Sequence, residues 1–241
     1  VKKLIDRGVA SDHSFPDGTA YLLSTSDRAR NSRSNGFKMA AEEFLGVFAV
    51  RLLDSEVISN RRDVLFYFTS LSEVNMLQSL NFLPGALADH LTSAGGMLTN
   101  SRQMSSLRWL EAGATASYGT VVEPCSYPQK FPSAVIAMFY YATGATAIEA
   151  YWKSVAWPGQ GVFIGEPLAK PFAPMLRKVD TDQFELKIFS PRTSILKIEE
   201  STSAAGPFKP IAHEHPIHRG ENVFQFSFNE KKEGYLRLQW H

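Results

Sequence analysis

The stretch DVLFYFT, residues 63–69, decides the fold of this chain. Its core positions are apolar without alternation. A strand with polar and apolar faces would repeat every second residue, so a continuous apolar run marks a strand buried on both sides. Such a strand belongs at the centre of a largely parallel sheet with helices above and below. The flanking segments fit. Upstream, TAYLLST at 19–25 follows the turn Pro16-Asp17-Gly18 and reads as a strand, FKMAAEEFL at 37–45 has helical spacing and good helix formers, and 47–53 reads as a strand. Downstream, Pro84-Gly85 opens a short strand over 86–90. A helix over 104–110 ends at Gly113, and a strand covers 114–122. Helices at 134–142 and 146–155 and a last short strand at 161–164 complete the alternation. Strands alternating with helices predict an α/β three-layer fold with right-handed crossovers.

The pattern changes near Pro171-Phe172-Ala173-Pro174. Beyond it no helix is legible, and 184–189, 195–199, 223–228 and 235–240 mostly alternate apolar with polar, as half-buried antiparallel strands do. The expected organisation is an α/β domain over residues 1–172 and a small all-β, sandwich-like domain over 175–241.

Composition bounds the function. The 241 residues carry 25 Lys and Arg against 24 Asp and Glu, a net charge of +1, so no nucleic-acid partner is expected. With 44% hydrophobic and 12% aromatic residues the chain can build a substantial core. The single cysteine, Cys125, excludes an intramolecular disulfide. The longest uncharged run, 131–148, is interrupted by Pro132 and Gly144 and is a poor bilayer span. The first residues, VKKLID, read as the middle of a helix and contain no signal peptide. The polar stretch STSDRARNSRS, 24–34, reads as a solvated loop.

In open α/β sheets ligands bind beyond the carboxyl ends of the strands. The chemistry-bearing residues there are Ser24 to Asp27, Asp54, Thr69-Ser70, Asp89-His90 and Glu123-Pro124-Cys125. A thiol at Cys125 within reach of the His90 imidazole would become a thiolate nucleophile, with Glu123 or Asp89 orienting the ring. The amides of Ser93 to Gly96, Gly95 included, would then supply oxyanion donors or an anion-accepting turn. Set against this, a lone cysteine is often a small buried hydrophobe, and a histidine after a strand often only bonds locally. His213, His215 and His218 form the one histidine cluster. Together they would offer three nitrogens to zinc, although Pro216 marks the segment as a surface loop. Neither a P-loop nor a Gly-x-Ser-x-Gly elbow is present, and no cofactor is expected.

The segments GATASYGTVVEPC at 113–125, QKFP at 129–132, EAYWK at 149–153 and GVFIGEPL at 161–168, with DVLFYFTS and GALADHLTSAGG, resemble an uncharacterised family of bacterial proteins, usually exported. The resemblance covers roughly residues 1–172 and implies an N-terminal strand–helix portion absent from this chain, together with a periplasmic or extracellular location. More distantly, the order of strands, the Gly-Ala-x-Ala strand and the Gly-Glu-Pro-Leu turn are similar to the gingipain and caspase clan of cysteine peptidases, whose catalytic domains are often followed by a small immunoglobulin-like domain. That clan places a catalytic His after one central strand and a Cys after the next. Here those places fall at Thr69-Ser70 and at 89–93, where the pair does not stand in order. The resemblance therefore implies a pseudo-peptidase-like binding or assembly module, with other protein subunits as partners. The alternatives are a divergent cysteine hydrolase using Cys125 and His90, and a metal- or ligand-binding protein.

Overall fold

The computed structural model describes residues 1–124, 126–211, 214–227 and 234–240. The chain divides into two units, Val1–Ala173 and Pro174–His241.

The first unit is mixed α/β. In order it contains α1 (Lys2–Ser11), β1 (Thr19–Ser24), α2 (Ser34–Glu43), β2 (Ala49–Asp54), β3 (Val64–Thr69), β4 (Phe82–Asp89), α3 (Leu107–Ala112), β5 (Ala116–Thr120), α4 (Ala134–Ala142), α5 (Ala147–Ser154) and β6 (Gly161–Gly165). The six strands form one sheet in the order β2-β1-β3-β4-β5-β6. All pairings are parallel except β5 with β6. Every residue of β3 is buried, as its unbroken apolar sequence requires, and β3 lies inside the sheet between β1 and β4.

The pleat divides the core between two faces. On one, Tyr21, Leu23, Tyr67 and Ala88 pack with Trp109 of α3 and with Ile58 and Leu77. On the other, the Phe66 ring meets Tyr141 of α4 edge-on at 6.1 Å, and the Tyr151 hydroxyl of α5 donates to the carbonyls of Ala88 and Ala116. Helix α5 begins with a capping box. The Thr146 amide donates to Glu149 Oε2 at 2.8 Å, and the Glu149 amide donates to Thr146 Oγ1. These bonds satisfy two amides that the first helical turn leaves without partners.

One expectation changes inside β4. Pro84-Gly85 does not open the strand but lies within it. Val64 pairs with Phe82 and Phe66 with Leu87, so the register slips around this dipeptide. Gly85 has φ +87°, which only glycine adopts without strain, and a bulge absorbs the extra residues.

The second unit is antiparallel. It contains β7 (Met175–Asp180), β8 (Gln183–Ser190), β9 (Ser194–Ser201), β10 (Lys209–Pro210), β11 (His215–Ile217), β12 (Gly220–Ser227) and β13 (Tyr235–Trp240). One sheet runs β12-β8-β7, and in the other β9 pairs with β10, β11 and β13. Phe184, Leu186 and Ile188 of β8, Leu196 and Ile198 of β9, Ile217 and Phe226 form one apolar core. The segment around Pro216, expected as a loop, is a short strand pairing with β9. It lies at a sheet edge, where a residue without an N–H is tolerated.

Candidate functional site

Parallel pairing brings the sequence candidates together. Leu23 pairs with Thr69, Phe68 with Asp89 and Leu87 with Ala116, so residues 24–25, 69–70, 89–93 and 120–123 leave neighbouring strands at one end of the sheet.

At the centre of this end is a buried ion pair that sequence reasoning missed. Arg33, just before α2, extends inward until Nη1 is 2.9 Å from Asp89 Oδ1, with the two side chains 4% and 1% exposed. The guanidinium also donates to the carbonyls of Pro132 (3.2 Å) and Thr69 (2.8 Å), and it sits 5.7 Å and 5.5 Å from the ring centres of Phe37 and Phe131. The stretch read as a solvated loop thus ends in a fully enclosed cation. Burial pushes the Asp89 carboxyl up to about 6, while the Arg33 charge pulls it back. Neither Asp89 oxygen makes an aligned hydrogen bond among the described residues. Ser70 Oγ and Thr69 Oγ1 are likewise buried without one.

His90 is fixed on both sides. The Trp109 indole N–H donates to Nδ1 at 3.0 Å, and Nε2 lies 3.0 Å from the Met104 carbonyl oxygen. Because Nδ1 accepts, the proton must sit on Nε2 and point at Met104. Burial is the main force lowering the imidazole to about 4. The Arg33 charge adds to the shift, and the Met104 bond opposes it. A neutral ring with both nitrogens engaged has no free lone pair for a substrate proton. The residues that orient it are Met104 and Trp109, where the sequence had pointed to Glu123 or Asp89.

Glu123 belongs to a separate polar cluster. It accepts from Ser93 Oγ and, at 3.3 Å, from Gln103 Nε2. Gln103 Oε1 also accepts from Thr92 Oγ1 at 2.6 Å and from the Ala94 amide at 2.7 Å. The Gly96 amide donates to the Thr120 carbonyl at 2.8 Å, and Ser106 donates its amide to Gly95. Of the amides considered as oxyanion donors, those of Ala94 and Gly96 are therefore spent within the fold. The two backbones touch here: a Cβ on Gly96 would collide with the Gly119 carbonyl oxygen.

Lys130 is almost fully buried and donates to the carbonyls of Val122 and Pro124, the latter at 2.7 Å, which pins the segment leaving β5. Cys125 lies outside the described residues, as does His213. His215 packs its ring 4.9 Å from that of Phe224, and the His218 amide donates to Asn222 Oδ1. Among the described residues no group of three His, Cys, Asp or Glu side chains is placed to hold a metal, and no helix is long and apolar enough to cross a membrane.

No family model, no curated protein and no solved structure matches this chain.

Proposed function

We propose that this chain is a non-catalytic, pseudo-peptidase-like binding or assembly module of an exported protein, built on a gingipain/caspase-like α/β domain. The observation that carries the reading is the closed network at the ends of β3 and β4. Peptide hydrolysis by a cysteine enzyme requires a base with a free lone pair beside the nucleophile. At the two positions that the clan resemblance assigns to chemistry stand Ser70, buried, and the pair Asp89-His90. Arg33 neutralises Asp89, and Trp109 and Met104 hold His90. The sheet order, with its antiparallel sixth strand, and the small antiparallel unit that follows are consistent with the resemblance.

The test is turnover of a panel of fluorogenic peptides with basic, acidic and apolar residues at the cleavage position, using the purified full chain. The expected result is no turnover above buffer. Turnover that disappears in both Cys125→Ser and His90→Gln would overturn the reading in favour of a divergent cysteine hydrolase.

A further inference from the structure

The amino ends of β1 and β3 hold a second feature, distinct from the carboxyl-end network. In the pairing of β1 with β2, Tyr21 stands opposite Arg51 and Leu23 opposite Leu53. Period-two alternation puts Thr19 and Tyr21 on the same face as Arg51 and Leu53. Residues 60–63 border that face, and between them lies a cavity of about 430 Å³, open to solvent, whose lining includes Tyr21, Leu53, Arg51, Arg61, Arg62 and Asp63.

The charge of this cavity is unbalanced. Among the described residues of the lining the one acid, Asp63, is already used: it accepts from Thr19 Oγ1 at 2.5 Å and from the Tyr21 hydroxyl at 2.9 Å. Arg51, Arg61 and Arg62 make no side-chain hydrogen bond or salt bridge among the described residues. Arg61 rests 5.9 Å from the Tyr21 ring centre. Three cations against one carboxylate leave two positive charges in the lining, in a chain whose total is +1. The excess is local and is not a consequence of overall basicity. Arginines gathered around one concavity with no hydrogen-bonded carboxylate are the donor set that carboxylates and phosphates bind in paired, planar fashion.

We propose that this cavity binds a compact anion carrying two or more negative charges as carboxylate or phosphate groups. Arg51, Arg61 and Arg62 take the charged groups, and the partly buried Leu53 offers an apolar wall. The volume lies at the lower end of the range for small-molecule sites, which suits a compact ligand. This inference does not depend on the absence of peptidase activity.

Isothermal titration of the full chain with citrate, pyrophosphate, acetate and a tetraglutamate peptide tests it. Citrate or pyrophosphate is expected to bind saturably with one site per chain, acetate at least about tenfold more weakly. The stronger of the two multivalent ions identifies the carboxylate or the phosphate class. Arg51→Ala and the double variant Arg61→Ala/Arg62→Ala should each weaken binding about tenfold or more, since bonds to charged groups are individually strong. Arg108→Ala removes an exposed arginine paired with Glu111 at 2.8 Å and should change nothing. Unchanged urea midpoints would show that the variants remain folded. The proposal is overturned if neither ion binds saturably below about 10 mM. It is also overturned if Arg108→Ala loses as much affinity as Arg51→Ala, or if tetraglutamate binds more tightly than both ions.

Discussion

Acidification should pull on Asp89 and His90 in opposite directions, and substitution can separate the two. An ordinary imidazole titrates at 6.5, and burial lowers His90 to about 4. Between those values the unfolded chain binds a proton that the folded chain refuses. This contribution to stability is present above pH 6.5 and is lost as pH falls toward 4, at most about 3 kcal/mol. Asp89 behaves inversely. An ordinary carboxyl at 3.8 is raised to about 6, so the folded chain binds the proton first. Its contribution is full below pH 3.8 and is lost as pH rises through 6, again about 3 kcal/mol. In the native chain the two trends largely cancel over pH 4 to 6. Relative to wild type, His90→Gln should therefore gain about 3 kcal/mol as pH is lowered from 7 to 4, and Asp89→Asn should lose about as much. The assay is urea unfolding at a series of pH values, followed by tryptophan fluorescence. Three of the four tryptophans, Trp109, Trp152 and Trp157, lie in the first unit, whose transition is the one to read. Only differences from wild type matter, because Asp89→Asn also leaves Arg33 unpaired and shifts the whole curve. Variants that both parallel wild type across the pH range, or trends of the same sign, would rule out opposed titrations of Asp89 and His90.

Arg33→Met should cost about 3–5 kcal/mol at neutral pH by stranding a buried carboxylate, and the double variant Arg33→Met/Asp89→Leu should recover most of that loss in the same urea assay. Gly96→Ala forces a Cβ against the Gly119 carbonyl and should lower stability by about 1–3 kcal/mol. Gly36→Ala, in α2 with nothing within 4 Å of the added carbon, should raise it by about 0.5–1 kcal/mol; thermal melts compare the two.

The fold was legible where burial dictates composition. DVLFYFT announced an interior strand because a sheet covered on both faces favours apolar side chains at successive positions. The helix over 134–142 coincides with α4 because its buried residues, Ala134, Ala137, Met138 and Tyr141, recur at the i, i+3, i+4, i+7 spacing of one helical face. β7 escaped because it is mostly exposed, so its sequence carries no inward alternation to read. Pro84-Gly85 was misplaced because a bulge and a turn ask for the same residues. The sequence could place 69–70, 89–90 and 120–123 at one end of the sheet, since strand ends follow from the topology. It could not show the partners. Arg33 sits in a run of serines, asparagine and arginines, and nothing local marks the one that turns inward. The Trp109 indole carries a weak signal: a tryptophan on a core-facing helix needs an acceptor for its N–H, and the one it finds is His90.

The most direct test of the closed carboxyl-end network is the titration of His90 by ¹H–¹⁵N NMR, assigned by its disappearance in His90→Gln. A neutral ring protonated on Nε2 is expected, with a slowly exchanging Nε2–H and no titration until pH falls to about 4. An imidazole that titrates near its ordinary 6.5, or that carries its proton on Nδ1, would contradict it and reopen His90 as a base.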